Sequence, residues 1–437
     1  MKALAYRLTV RLLALPFCVM LALRGFRDRG YWRGFSQRFG LGAARPAGSI
    51  WIHAVSVGEV QAAAALVLAL AERYPERALT LTTTTPTGAA RARALFDAAI
   101  DVRFLPLDTP GCVRRFLDRV QPSIGLIIEK EIWPQLFHEC TVRGIPLVLA
   151  SAAIAPRSVT RYRRLLGIYA DTLARGLTVA AQSEADAARF ASVGVPSARV
   201  QVIGNLKFDL ALPPGLTAAG SGLRERCGWR DRFVLVGGST YEVEEDALLQ
   251  AQQRLRHEGV DVALVLAPRH PPRFAEVAAR LQKSGVFYRR YSTSESSVRA
   301  LSANAAATQP IDVLLLDTLG ELLACYAAAD VAFVGGSLIE GIGGHNLIEP
   351  AALAIPSITG PHGKNAADVA AALVAHQALE IVVDVDSMTT TLRRWAADAA
   401  ARRGYGERAK EFVAGNRGTL QRLLAVIEPL IAGAKSP

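Results

Sequence analysis

"SIWIHAVSVGEV", residues 49 to 60, decides how the rest of the chain is read. "SIWIHAV" is an apolar, strand-like run that stops at Ser56, Gly58 allows a sharp turn, and Glu59 opens what reads as a helix. A strand that feeds a helix is the building unit of a parallel sheet covered on both faces. Ligands of such sheets sit beyond the carboxyl ends of the strands, and Glu59 stands at that place. The positive end of the helix dipole favours its ionised form, so the expectation is a charged carboxylate ready to accept a proton. Position alone leaves a second reading open, an acid that only stabilises its helix.

The same unit recurs along the chain. "ALTLTTTT", "VRFLP", "IGLIIEK", "PLVLAS", "LTVAAQS" and "VQVIG" read as further strands, with Ala- and Arg-rich amphipathic stretches between most of them. "ALPPGLTAAGSG" (211 to 222), with two prolines and three glycines, reads as a linker. A second series follows: "FVLVGGS", "VALVLAP", "IDVLLLD", "VAFVGGS", "IPSITG" and "EIVVDV", with helical patterns from about 387 to 432. At 437 residues the chain is too long for one core. The expected architecture is two doubly wound α/β domains facing a cleft: an N-terminal segment 1–46, a domain 47–210, a linker 211–228 and a domain 229–437.

Hydrophobic content of 51% against 20% charge excludes general disorder. The five scattered cysteines, with no CxxC and no histidine at zinc spacing, suit a reduced, cytosol-facing protein. A net charge of +11 calls for an anionic partner. Much of that charge is local: residues 1–46 carry nine lysines and arginines against the single acid Asp28, around the uncharged run "LLALPFCVMLAL" (12 to 23). Twelve residues fall short of the roughly 20 that a span requires. No small-x-small cleavage site follows them. An anchor dipping into one leaflet, its arginines on anionic headgroups, accounts for both run and flanks, and a single span stays open. Aromatic residues interleaved with the basic ones, or a known nucleic-acid module, are not evident, so nucleic acid is not the expected partner.

Several strand ends carry chemistry-bearing residues. "IIEKEIWPQL" (127 to 136) sets Glu129 and Glu131 around Lys130; on an extended chain both acids point one way. The alternative is a helix start, with Pro134 in its first turn. "GNLKFD" (204 to 209) offers Lys207 to a leaving phosphate or a substrate carboxylate, and "LAPRH" (266 to 270) offers Arg269. "GGS" occurs at 237–239 and 335–337, where glycines let backbone N–H groups approach phosphate. "DTLGEL" (317 to 322) opens a helix after a strand. "GGHNLIEPA" (343 to 351) joins a glycine turn to a helix start with His345, Asn346 and Glu349, N–H groups suiting a phosphate and the acid a ribose. The "DVD" at 384–386 reads as a helix cap, not a metal site. No GxxxxGK[ST], GxGxxG or G-x-S-x-G occurs.

In this order, "SVGE", "TTTTPTG", "E-x-E-I-W-P", "GNLKFD", "GST", "PRHP-x-RF", "DTLGEL", "FVGGSL…GGHN-x-x-EP" and "GPH-x-x-N" resemble the 3-deoxy-D-manno-octulosonic acid (Kdo) transferases of Gram-negative lipopolysaccharide synthesis. The resemblance covers nearly the whole chain. It implies an α/β GT-B fold of two Rossmann-like domains with an N-terminal membrane-anchoring helix, at the cytoplasmic face of the inner membrane. It also implies a CMP-Kdo donor, a lipid IVA acceptor, and neither metal nor cofactor. By matched position, Glu59 would be the proton acceptor, with Glu129 and Lys207 stabilising the transition state. Pro268, Arg269, Leu319, Gly320, Glu321, Asn346, Leu347, Ile348 and Glu349 would bind CMP. The chain departs from the family pattern at Lys130 (usually threonine), Ser151 and Ala153 (an Asn-Ala-Arg segment) and Tyr241 (histidine), and "EGEE" is "EVEE" here. These changes flank the expected cleft and bear on donor, acceptor and number of sugars. The rival readings are another nucleotide sugar, a nucleotide-sugar epimerase, or a non-catalytic membrane-associated paralogue.

Overall fold

Each run read above as a strand becomes a parallel strand, because strands apolar on both faces are stable only when helices cover both. The computed structural model describes residues 2–96, 100–168, 176–210, 212–293, 310–364 and 366–433. Ala211, at the head of the expected linker, and Asn365 of "GPH-x-x-N" lie outside them. The chain divides into two units, one of residues 1–210 with 416–437, the other of residues 211–415.

The first unit holds β1 (Ser49–His53), β2 (Leu79–Thr83), β3 (Asp101–Phe104), β4 (Pro122–Ile128), β5 (Leu147–Ala152), β6 (Leu177–Ala181) and β7 (Val200–Val202). They form one sheet in the order β3-β2-β1-β4-β5-β6-β7. Ile50 and Ile52 face a core shared with the helices Val57–Arg73 and Thr419–Gly433, while Trp51 faces a second core with Phe116 and Phe137. Strand order reverses direction between β1 and β4, which pair through His53 and Ile127, and that is where a doubly wound sheet opens a crevice. The segments after these two strands carry Glu59 and Glu129.

The second unit holds β8 (Phe233–Thr240), β9 (Val262–Pro268), β10 (Tyr288–Arg290), β11 (Val313–Leu315), β12 (Val331–Val334), β13 (Ser357–Thr359) and β14 (Leu379–Ile381). Their order is β10-β11-β9-β8-β12-β13-β14, again all parallel, with the switch between β8 and β12. The sequence reading missed β10: three residues, two of them arginines, carry no apolar run.

The expected boundaries differ from the structure at two places. Residues 216–227 of the expected linker are a helix whose Leu223 and Cys227 are buried with Trp229. Its Gly220 is a packing glycine, since a Cβ there would lie 2.5 Å from the Ala327 carbonyl carbon. The prolines that suggested a linker only precede this helix. The last helix, Thr419–Gly433, belongs with the first unit, not the second. Leu423, Leu424, Ile427 and Ile431 are buried in its core, each worth about 2 kcal/mol, and amphipathic periodicity says nothing of which core a helix joins.

Candidate active site

Glu59 is the third residue of the helix Val57–Arg73, and its carboxylate folds back to accept the Val55 N–H at 2.7 Å. Gly58 lies inside this helix, so it makes no turn; a Cβ on it would stand in open space. The turn itself is held by the threonine run. The Val55 carbonyl accepts the hydroxyls of Thr83 (2.8 Å) and Thr84 (3.2 Å), and Gly88 lies so close that a Cβ would stand 2.5 Å from the Thr83 hydroxyl. Beneath it, the ring of His53 is buried on Thr82 (Nδ1 to Oγ1, 2.9 Å), and burial holds its pKa down at about 4.

Glu59 is not the ordinary ionised carboxylate that the helix dipole suggested. Burial first, and the nearby Glu129 next, push its pKa up to about 8; the Val55 N–H and Lys207 pull the other way, and Glu131 adds to the rise. Loss of water outweighs the dipole of one helix end.

Glu129 does not continue an extended strand with Glu131, as the spacing suggested. β4 ends at Ile128 and Glu129 turns into the left-handed region at φ +60°. Its carboxylate is buried and meets the Lys207 ammonium at 2.6 Å, with that of Lys130 at 4.0 Å. Glu131 still comes near enough to act on Glu59, and burial raises its own pKa against the influence of Arg161 and Trp133. The helix start at Pro134 is also present. Asp108, which the sequence reading passed over, caps that helix through the N–H groups of Gln135 (3.0 Å) and Leu136 (2.8 Å).

"GNLKFD" folds into a short 3-10 turn, Leu206–Asp209, that presents Lys207. Asn205 accepts the Lys207 N–H at 3.0 Å, and Asp209 accepts the Gly418 N–H at 2.7 Å. Ser151, on a bulge of β5 at φ +55°, accepts the Leu206 N–H at 3.1 Å. Bulges of this kind re-aim the chain at a strand end. Three segments distant in sequence thus bring Glu59, Glu129, Glu131 and Lys207 into one electrostatically coupled group.

In the second unit the two "GGS" segments are not open phosphate cradles. The first lies within β8, where a Cβ on Gly237 or Gly238 would strike Leu248 or the Tyr326 hydroxyl. The N–H groups of Gly336, Ser337 and Leu338 all donate to the buried carboxylate of Glu244, at 2.8, 2.7 and 3.0 Å. A carboxylate of the chain occupies the place expected for a phosphate. Glu245, also buried, holds Arg273 through both oxygens at 2.8 and 2.9 Å. "EVEE" therefore ties together the two strand ends at the switch point; its paired acids at a helix start were the signal available.

Pro268 ends β9, and the Arg269 N–H donates to the Thr240 carbonyl at 3.0 Å. Beside Arg269, Tyr241 stacks on His345 with centroids 5.9 Å apart and meets the edge of His270 at 5.5 Å. Burial, Arg269 and His270 hold His345 down at about 4, which keeps it neutral. Asn346 accepts the Ile348 N–H at 3.0 Å and donates to Glu349 at 3.1 Å, at the start of the short helix Ile348–Ala352. Leu347 and Ile348 are buried behind them. Leu319 is exposed, Gly320 is left-handed at φ +106°, and Glu321 accepts the Tyr291 hydroxyl at 3.4 Å. Asp384 of "DVD" caps the helix Val385–Ala397, accepting the Ser387 N–H at 2.8 Å.

The family model described as 3-deoxy-D-manno-octulosonic-acid transferase (kdotransferase) matches residues 33–210. The 3-deoxy-D-manno-octulosonic acid transferase of Bordetella pertussis is 38% identical over 437 aligned residues, covering 97% of this chain and 98% of its own. That of Haemophilus influenzae is 34% identical over 424, covering 96% of each. This chain belongs to the Kdo transferase family. As a Kdo transferase it is a glycosyltransferase. A solved glycosyltransferase from Rickettsia africae covers 89% of it, and is itself covered in full, at 12% identity and a TM-score of 0.55. The UDP-GlcNAc 2-epimerase of Neisseria meningitidis covers 87% at 11% identity and a TM-score of 0.55. These two speak for the GT-B fold alone, which transferases and epimerases share; the sequence relatives decide between the readings.

Three departures from the Kdo transferase pattern have structural roles. Ser151 holds the Lys207 turn, Lys130 adds a cation beside Glu129, and Tyr241 begins the helix that carries Glu244 and stacks on His345. Ala153 is half-buried after β5, and nothing in the structure explains the change there.

Proposed function

We propose that this Kdo transferase moves Kdo from CMP-Kdo to a hydroxyl of the lipid A precursor lipid IVA, with inversion at the anomeric carbon. The observation that carries this reading is Glu59, a half-buried acid whose pKa of about 8 makes it a far stronger base than an exposed carboxylate. In its ionised form Glu59 takes the proton of the attacking hydroxyl as the new oxygen–carbon bond forms and the bond to the CMP phosphate breaks. The Val55 N–H fixes the orientation of its carboxylate. Lys207, set by Asn205 and paired with Glu129, supplies a cation for charge that develops in the transition state or for the sugar's carboxylate.

CMP is assigned to the second unit: Pro268 and Arg269, then Leu319, Gly320 and Glu321, then Asn346, Leu347, Ile348 and Glu349. Support comes from Arg269 and the neutral His345 grouped about Tyr241, a donor-rich surface for a phosphate. The enzyme works at the cytoplasmic face of the inner membrane, its N-terminal helix held by anionic lipids. Support for this is one apolar helix within Lys2–Phe26, long enough to cross a bilayer, beside exposed Arg29 and Arg33. Incubation with CMP-Kdo generated in situ and lipid IVA, followed by mass analysis, should give lipid IVA increased by whole Kdo residues, and their number is read directly. Turnover of UDP-sugars in place of CMP-Kdo, or free Kdo with no lipid product, would overturn the proposal.

A further inference from the structure

The N-terminal helix Lys2–Arg27 has a covered side and a wider exposed apolar one, which Leu13, Phe17 and Met20 extend past the line of Lys2. Tyr6, Arg7, Val10, Ala14, Leu21 and Gly25, spaced by helical turns, are partly or fully covered by the first unit. On the other side Leu4, Leu8, Leu12, Leu15, Val19 and Leu23, also spaced by helical turns, are each at least half exposed.

The covered side is fastened near both ends. The Tyr6 hydroxyl donates to Asp108 at 2.5 Å and Arg7 donates to Gln135 at 2.9 Å. Further along, Cys18 lies within electrostatic reach of Cys112 and Arg38. Near the far end, Trp32 donates to the Ala22 carbonyl at 2.9 Å and lies flush on Gly25, where a Cβ would stand 1.9 Å from its indole nitrogen. From Tyr6 to Ala22 the helix runs about 24 Å at 1.5 Å per residue. A bilayer core is about 30 Å thick. A helix crossing it with these contacts intact would draw the parts of the first unit that carry Asp108, Gln135 and Arg38 into hydrocarbon, and the exposed Arg114 and Arg115 beside Cys112 would lose their water.

Charge fits the other orientation. At about 100° per residue, Arg11 falls about 70° to one side of the outer leucine stripe and Lys2 about 110° to the other, and both are exposed. An apolar surface with cations toward its edges, here Arg11 on one side and Lys2 and Arg24 toward the other, is the pattern of a helix lying at a lipid surface, its apolar side about 5–10 Å deep and its cations among anionic headgroups.

We infer that this helix lies in the plane of one leaflet, with the Leu4–Leu23 stripe among the acyl chains and the first unit seated on its back, and that it does not cross the bilayer. The inference rests on the membrane reading above and adds the orientation. It also fixes the membrane against the site, because Asp108, which receives Tyr6, caps the helix that begins three residues after Glu131.

The test uses the full chain with Cys18→Ser, reconstituted in phosphatidylethanolamine vesicles containing phosphatidylglycerol. Nitroxide labels are placed on Leu4→Cys, Leu12→Cys, Val19→Cys and Leu23→Cys, and depth is read from relaxation by oxygen against a water-soluble nickel chelate. One shallow depth shared by all four is the expected result. A profile that deepens to the bilayer centre near Leu12 and rises again would overturn the in-plane orientation while leaving the membrane reading intact. Labels that neither reagent reaches, with spin coupling between copies, would overturn it in favour of a protein contact. Failure of the protein to bind these vesicles at all would overturn the membrane reading itself. Independently, a thiol at Lys2→Cys should react with an impermeant maleimide from the side that carries the enzyme; reaction only from the opposite side would again mean a span.

Discussion

Replacing Glu59 with glutamine separates charge from shape, since the amide oxygen still accepts the Val55 N–H. The rise of the Glu59 pKa from 4.5 to about 8 is about 5 kcal/mol of bias against its charged form in the folded protein. The sign follows from proton binding. A folded-state pKa above the unfolded one means that the folded chain holds the extra proton between pH 4.5 and about 8. Wild-type stability from this group is therefore full below 4.5 and falls by about 1.4 kcal/mol per pH unit up to about 8. Glu59→Gln escapes that loss. Urea unfolding of the two proteins should give equal stability near pH 4 and a variant about 3 kcal/mol more stable at pH 7, with a wider gap at pH 9. The same titration governs turnover: at pH 7 about a tenth of Glu59 is ionised, so wild-type kcat/KM should rise about tenfold from pH 7 to a plateau above 8. The variant should lose transfer while still binding CMP. A stability difference that does not change with pH, or a kcat/KM already level at pH 5, would refute the reasoning.

Lys207→Ala removes both the cation opposite Glu129 and a charge that lowers the Glu59 pKa. Its kcat should fall about 10²–10³-fold and the pH midpoint of kcat/KM should move upward; an unmoved midpoint would sink the coupling. Glu244→Gln exchanges an acceptor of several N–H bonds for an amide that presents one acceptor oxygen, and should cost about 2–4 kcal/mol in unfolding measurements and loosen residues 335–338 in hydrogen exchange. Ser151→Ala should cost about 1 kcal/mol through the freed Leu206 N–H and lower kcat by displacing Lys207, whereas Ser151→Asn, which tolerates φ +55°, should retain most of both.

Local chemistry was legible in the sequence where neighbours along the chain set the outcome. The apolar runs from "SIWIHAV" to "EIVVDV" had to be strands, and Asp384 had to be a cap, because both follow from residues within a few positions of one another. Glu59, Glu129 and Lys207 were placed at strand ends on the same grounds. Their shared environment was not readable, since the segment after β1 meets the one after β4 only through sheet order. The Glu59 proton, the Glu244 carboxylate lodged in the second "GGS" and the membership of the last helix in the first unit were decided by folding. Each depends on lost water or on a partner from 70 to more than 200 residues away, and no periodicity or motif encodes what becomes buried against what.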